Sequence, residues 1–450
     1  MSRSADAVVI GAGIAGVAAS YHLAVKHGVR RVVMVDPRPP LTLTSDKSTE
    51  CYRNWWPNKP MVGLMNRSID LLEEAAQESG NAFGLNRRGY LFVTSETERF
   101  QKMVEEAHHT STLGAGPVRF HPGPIPYRNS PSDGYHGAPE GADILVGPET
   151  VRDRFPYLTE RVVGAIHVRR AGWFSAQQLG SWMIDRSRES GLELVVDEVG
   201  SIEIENDAVR GVRLIGGDTI SASTIVDAAG PMSTRIAAMA GVDLPLFSEL
   251  HLKVAYREHL KVIPRNAPMI IWSDPQYLDW SDDERRELAN QGRDDLLGEM
   301  PIYCHGRPEG GVDSPYLLAL WEYHGRVQDP VWPLPDDPLY PEVVMRGLTT
   351  MVPGLAEYLD RLPGSVVDGG YYVKTGENRP LIGPGGPHGF HLCSGMSGFG
   401  VMAAAGAGDL LARHVTGADL PAYAGAFLLS RYQDSDYMRS LAVEAASGQL

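Results

Sequence analysis

The start of the chain most narrows what it can fold into. "DAVVIGA" reads as a short buried strand, "IAGVAASYHLAVKHG" has helical apolar spacing, and "RVVMVDP" reads as a second strand. Gly11, Gly13 and Gly16 between them fit G-x-G-x-x-G, with Ile14 and Ala15 opening the helix. The three glycines serve a tight turn, close main-chain approach to a pyrophosphate, and close packing of helix on strand, in that order. The helix start adds unpaired N–H groups and the positive end of its dipole. Asp36 closes the second strand, followed by Pro37 and Arg38. A carboxylate there accepts from ribose hydroxyls and repels a 2′-phosphate, which argues against NADP. Strand, turn, helix and acid together predict a βαβ unit that binds one dinucleotide. A second such loop is absent, since "IGGDTI" has the wrong spacing and reads as a hairpin turn.

Composition bounds the rest. The chain has 450 residues, 43% of them hydrophobic and 22% charged, enough for two or three domains with large cores. Net charge is −15, which disfavours nucleic acid or an anionic membrane surface as the main partner. Cys51, Cys304 and Cys393 are far apart, so neither a disulfide framework nor a metal-ligand spacing is expected. No metal is predicted, and a reducing, cytoplasmic setting is. Four polar residues precede the first strand, leaving no room for a targeting signal, and no apolar run is long enough to span a membrane.

Further along, 191–230 alternates in strand fashion, with turns at Asn206-Asp207 and Gly216-Gly217-Asp218. "HLKVAYRE", "PMIIWSD" and "YLLALWEYH" read as strands, separated by a charged helical insert at 281–300. The segment 366–413 returns to strand, turn and a helix of small residues. In it, Gly395, Gly398 and Gly400 lack side chains, so the main chain can approach a flat ring closely. A helix starting near Gly400 would aim its positive end at that ring and stabilise negative charge on it.

Three collinear blocks carry a family resemblance: the N-terminal loop, "STIVDAAGPMSTRIAAMAG", and "TGENRPLIG" followed by "GMSGFG". Together they resemble the D-amino-acid oxidase, glycine oxidase and sarcosine oxidase superfamily of FAD-dependent oxidoreductases. The resemblance implies an α/β (α+β) chain: a Rossmann-like FAD-binding domain with a central parallel sheet, and a substrate domain built on an antiparallel sheet. It divides the chain into 1–85, 150–231 and 362–450 for FAD, and 86–149 and 232–361 for substrate. Ala229 and Gly230 then match the turn near the pyrophosphate, and Val199 the strand residue whose main chain meets adenine. "TSDKSTECYRN" is similar to the family's loop beside the isoalloxazine, which brings Ser45, Lys47, Ser48 and Thr49 to the cofactor. Gly395, Met396, Ser397, Gly398, Phe399, Gly400, Val401 and Met402 match the ring-binding segment.

The chain departs from this pattern in places. Relatives with covalent flavin carry a cysteine where Gly370 stands here, so FAD should be non-covalent. Met402 replaces a lysine that binds the substrate carboxylate. The strand expected over the ring has no oxygen-activating lysine; Lys253 and Lys374 are the nearest substitutes. Arg53 matches the carboxylate-binding arginine, and a guanidinium fork suits that role. Glu50 stands where relatives carry arginine, and a carboxylate there would hold a cationic amine. Trp55, Trp56, Tyr371, Tyr372, Trp321 and Tyr323 are candidate pocket walls. His324 and Glu322, and more distantly His305, are candidate proton relays.

The resemblance therefore implies oxidation of a C–N bond of an amine or amino acid, with hydride passing to flavin N5 and an imine as product. Oxygen, a quinone or an electron-transfer protein would take the electrons. Two other readings are oxidation of a 2-hydroxy acid and a non-catalytic FAD-binding subunit. A flavin hydroxylase fits less well, because "TGENRPLIG" lacks the Gly-Asp pair of those enzymes.

Overall fold

The computed structural model describes residues 2–123, 127–131, 133–311 and 313–444. The opening βαβ unit forms as its spacing requires. Ala7–Ile10 and Val32–Val35 are buried parallel strands, and the helix Ile14–Tyr21 runs into a π turn, His22–Lys26. These strands belong to a six-stranded sheet in the order 193–195, 32–35, 7–10, 225–227, 390–394, 381–384. All neighbours are parallel except the last pair. Alternate residues feed two cores. Ala7, Val9, Val32 and Met34 join an apolar cluster under the helices. Val8, Ile10, Val33 and Val35 face a small four-stranded sheet. Burial on both faces is why these strands are continuously apolar rather than alternating.

On the helical side, Gly400–Thr416 lies against both Ile14–Tyr21 and the long helix Lys59–Ser79. Small residues allow main chain to meet main chain. A Cβ at Gly408 would sit 2.7 Å from the Ala18 carbonyl oxygen.

The second large unit is a nine-stranded sheet. Its order is 365–374, 247–257, 316–320, 305–309, 269–272, 90–94, 164–168, 142–146 and 118–121. Six of these eight pairings are antiparallel, and two are parallel. The helix Tyr340–Met351 packs its apolar face into the cluster beneath the sheet. The α/β reading with a parallel and a largely antiparallel sheet thus describes the molecule. The charged insert is helical over Asp282–Asn290, held by a Ser281–Glu284 capping box and ended by Gly292 in the left-handed region.

The division by residue number needs adjustment at two strands. Gly164–Val168 and Ser365–Lys374 fall within the segments allotted to the FAD unit, yet both pair inside the nine-stranded sheet. Strand periodicity shows that a segment pairs, not with which sheet. Among the described residues no helix is long and apolar enough to cross a membrane. None of them forms a group of three or more metal-ligating side chains.

The helix contact at Gly408 yields a prediction. Gly408→Ala forces two backbones apart and should cost about 1–3 kcal/mol, seen as a lower Tm and earlier flavin release on heating. Gly298→Ala, where an added methyl meets nothing within 4 Å, is the control; equal melting of the two variants would contradict the packing argument.

Candidate active site

The parallel strands end at one groove. Its empty volume, open mouth included, is about 930 Å³, and it is lined by residues from Gly11–Ala15, Asp36–Thr44, Ala228–Pro231, Tyr371–Val373 and Cys393–Val401. Gly11 has φ +105°, and a Cβ there would lie 2.5 Å from the Ala228 carbonyl oxygen. A Cβ at Gly16 would strike the Gly11 carbonyl at 1.9 Å. Only glycine permits this crossing of turn, helix and strand. The Ile14 N–H donates to Ser45 Oγ at 2.9 Å, which pins the 44–54 loop to the helix start. Asp36 accepts from the Ala12 and Arg38 N–H groups, at 2.9 and 2.8 Å. Its carboxylate keeps acceptor sites for hydroxyls.

The helix Gly400–Thr416 also opens on the groove without a side-chain cap, as does Ile14–Tyr21. Two positive helix ends, one of them with its Ile14 N–H held by Ser45 Oγ, a fixed acid and a run of glycines fit a dinucleotide whose phosphates and ring are gripped by main chain. At Gly398, φ is +83° and a Cβ would be buried in the Tyr372 ring at 2.3 Å. Gly395 and Ser397 also have positive φ.

Most of the proposed cofactor residues line this groove: Gly11, Gly13, Ile14, Ala15, Asp36, Arg38, Ser45, Ser48, Ala229, Gly230, Gly395, Met396, Ser397, Gly398, Gly400 and Val401. Others support it from behind. Gly16 packs the turn, and Phe399 meets Trp56 edge-on at 4.8 Å. Met402 is in the core, its carbonyl accepting from Ser68 Oγ. Pro37, exposed, is not among the residues lining the groove. Lys47 is paired with Asp46 and Asp368 at 2.7 and 2.9 Å. Val199 starts a strand and packs in the core beside Val33 and Val35 rather than lining the groove.

The loop carrying Ser48 and Thr49 is held from the nine-stranded sheet. Lys253 Nζ donates to the Ser48 carbonyl at 2.9 Å. Arg307, fully buried, donates through Nε and Nη2 to the Thr49 carbonyl at 3.1 and 2.6 Å. It also pairs with Glu309 at 2.6 Å and lies 5.0 Å from the Trp173 ring. Burial pulls the Lys253 ammonium below its ordinary range. Glu50, at φ +60°, turns away from the groove. It accepts from the Ala176 N–H at 2.7 Å, capping the helix Ala176–Glu189, and lies 4.0 Å from Arg307. Desolvation raises its pKa.

Arg53 is buried, with its guanidinium 4.7 Å from the Trp56 ring and 5.9 Å from Tyr90. On the other flank, Tyr372 stacks on His251 at 3.8 Å and 14°. His251 lies between Glu249, 3.3 Å from Nε2, and Glu322, 3.2 Å from Nδ1. Lys374 reaches Glu249 at 2.9 Å. Burial works against the imidazolium, but the flanking carboxylates outweigh it and raise the His251 pKa; Glu249 falls to about 2, chiefly through its bond to His251. His305 donates through Nδ1 to the Tyr303 carbonyl at 2.8 Å, and burial lowers its pKa. His324 is instead bound to Asp337 at 2.6 Å, beside Arg293. Of the aromatic candidates, Tyr371 and Tyr372 line the groove. Trp321 is core, donating to the Pro301 carbonyl.

Sequence reasoning passed over Arg307, Glu249 and His251. Glu249, His251 and Lys253 occupy alternate positions of one strand. That period of two placed three ionisable groups on one sheet face, a signal available in the sequence.

A family described as FAD dependent oxidoreductase matches residues 6–414. Among curated relatives, the mitochondrial dimethylglycine dehydrogenase of Rattus norvegicus is 24% identical over 55% of this chain and 26% of its own. Sarcosine oxidase subunit beta of Arthrobacter sp. is 24% identical over 55% of this chain and 56% of its own. The chain therefore spans about a quarter to a half of these relatives. Among solved structures, L-proline dehydrogenase from P. horikoshii superposes with a TM-score of 0.73 at 20% identity, covering 96% of this chain and 99% of that one. Glycine oxidase from Geobacillus kaustophilus gives 0.72 at 17%, covering 95% and 99%.

Behind the groove, Asp227 is fully buried, and its Oδ1 accepts from the Ala229 N–H and Ser233 Oγ, each at 3.0 Å. Desolvation outweighs these bonds and lifts its pKa from 3.8 to about 7. Across that interval the folded protein holds a proton that the unfolded chain has released, so this contribution to stability is lost as pH rises. Asp227→Asn keeps the accepting oxygen without the charge. Its Tm should gain on wild type between pH 4 and pH 8; a constant offset in thermal melts at both ends would refute the assignment.

Proposed function

The chain belongs to the FAD-dependent oxidoreductase family, and we propose that it oxidises a C–N bond of an amine or amino acid. The observation that carries this reading is the pairing of a glycine-lined dinucleotide groove with a buried arginine beside its ring-binding segment. Arg53 contacts Trp56, which contacts Phe399, the residue between Gly398 and Gly400. A desolvated guanidinium in that place suits a substrate carboxylate. The relatives' names, dimethylglycine dehydrogenase and sarcosine oxidase, point to the same class of substrate.

Bound FAD supplies the two-electron acceptor. The protein's own work is positional. The turns at Gly11 and Gly398 and the helix starts hold the dinucleotide. Arg53 anchors the carboxylate, and Tyr372 walls the cavity against water. FAD is held without a covalent bond: Gly370 occupies the position of the attaching cysteine. Cys393, which lines the groove, is a buried thiol raised to about 12 by desolvation, so it is no nucleophile. Three buried, unbridged thiols accord with a reducing compartment such as the cytoplasm.

The purified protein is expected to be yellow and to lose all its flavin on acid precipitation. Anaerobic mixing with amines and amino acids should bleach it. Bleaching by 2-hydroxy acids but not by amines would replace this reading with the hydroxy-acid one, and no bleaching by either would favour a non-catalytic subunit. Re-oxidation in air, compared with a quinone, then identifies the acceptor.

Arg53→Ala should raise KM for a carboxylate substrate by the equivalent of about 2–5 kcal/mol, with less effect on a carboxylate-free amine. Steady-state kinetics on such a pair decide it: equal losses for both would take Arg53 out of carboxylate binding.

A further inference from the structure

We propose that Glu322 is the specificity residue that receives the substrate's ammonium group, with His251 as its positioning residue. This rests on the amine-oxidising reading and adds the residue that distinguishes a zwitterion from a simple carboxylate.

Three observations converge. First, Glu322 exposes 41% of its side chain although Trp321 before it and His251 beside it are buried. Its carboxylate is therefore accessible to a small molecule although it sits against the buried His251. Second, the path from Glu322 leads to the cofactor groove. Glu322 meets His251, His251 stacks on Tyr372, and the Tyr372 ring fills the space that a Cβ at Gly398 would take. Arg53 reaches the same glycine segment from the other flank, through Trp56 and Phe399. Third, His305 feels both charges, the carboxylate of Glu322 and the guanidinium of Arg53. Charges of opposite sign thus act on one buried imidazole. An amino acid presents the complementary pair of charges, carboxylate to Arg53 and ammonium to Glu322.

Glu50, the acid that sequence position puts nearest the flavin loop, is engaged in capping a helix and lies beside Arg307. Glu322 pairs with His251 and still keeps 41% of its side chain accessible. His251, held between Glu249 and Glu322 with Lys374 beyond, keeps the group of charges close to neutral. An ammonium is therefore oriented at Glu322 without being locked strongly in its charged form.

The test uses the FAD-loaded enzyme and two unreactive ligands of one shape, glycine betaine and 3,3-dimethylbutanoate. They differ only in a quaternary nitrogen against a quaternary carbon. Calorimetry on wild type should show betaine binding at least about tenfold tighter, an ion-pair effect of about 1.4 kcal/mol. Glu322→Gln should abolish that preference and leave dimethylbutanoate within about twofold. Glu322→Asp, which keeps the charge one methylene further back, should retain part of it, and His251→Gln should reduce it in the same direction. Flavin content verifies folding for each variant. Arg53→Lys should weaken both ligands alike. Equal affinities in wild type, a preference that survives in Glu322→Gln, or binding of neither ligand overturns the proposal. If amines still bleach the flavin in that case, only the assignment of Glu322 falls. If they do not, the amine reading falls with it.

Discussion

The structure depends on main chain packing directly against its neighbours at glycine turns beside the groove. At Gly11 and Gly398 the space a side chain would need is already taken, by the Ala228 carbonyl in one case and the Tyr372 ring in the other. Both positions require the left-handed region of φ as well. Each lies just before a helix whose N-cap residue makes no side-chain bond, so a positive dipole end remains for a ligand, with Ser45 Oγ already holding the Ile14 N–H of the first. The same helices pack on one another through Gly408 and Ala18. Binding surface and core packing are therefore one construction, and the core cannot loosen there without moving the groove.

The nine-stranded sheet meets this construction along one face of its edge. On Phe247–Arg257, the alternate residues Glu249, His251 and Lys253 face Lys374, Tyr372 and the Ser48 carbonyl. Lys253 and Arg307 fix the flavin-side loop by its carbonyls, at Ser48 and Thr49. The loop that completes the groove from one sheet is thus positioned by cations from the other. Burying such cations is costly unless they are bonded, and here each has a carbonyl or carboxylate in reach.

The cofactor half was legible because its requirements are local. Gly11, Gly13, Gly16 and Asp36 fall within one βαβ unit, and Gly395 to Gly400 within one turn, so spacing alone places them. Val199 is the exception among these: it sits in a strand, where spacing does not say whether its main chain or its side chain matters. The substrate half was not legible, because its contacts follow strand register. Val254 pairs with Ala319, and continuing that register three residues sets His251 opposite Glu322. Nothing in either segment alone reveals this. Glu50 and His324 illustrate the reverse error. Both are close in sequence to motif residues, but each is engaged by a partner from elsewhere, Ala176 and Asp337.

The separation has a consequence for how such a chain can change its chemistry. The cofactor groove is lined by main chain at glycine turns, where few substitutions are tolerated. The groups proposed to meet a substrate are side chains on or beside strands whose backbone pairing is indifferent to their identity. Replacing Glu322 or His251 alters charge in the cleft while leaving the ladder of Phe247–Arg257 with Ser365–Lys374 and Tyr316–Leu320 intact. Low identity to relatives of the same fold is the expected result: 20% over nearly the whole length of one superposed structure. In this chain the close approaches at Gly11 and Gly398 are set by the main chain, whereas the charge pattern around Glu322 and His251 is set by side chains that the strand ladder leaves free to change.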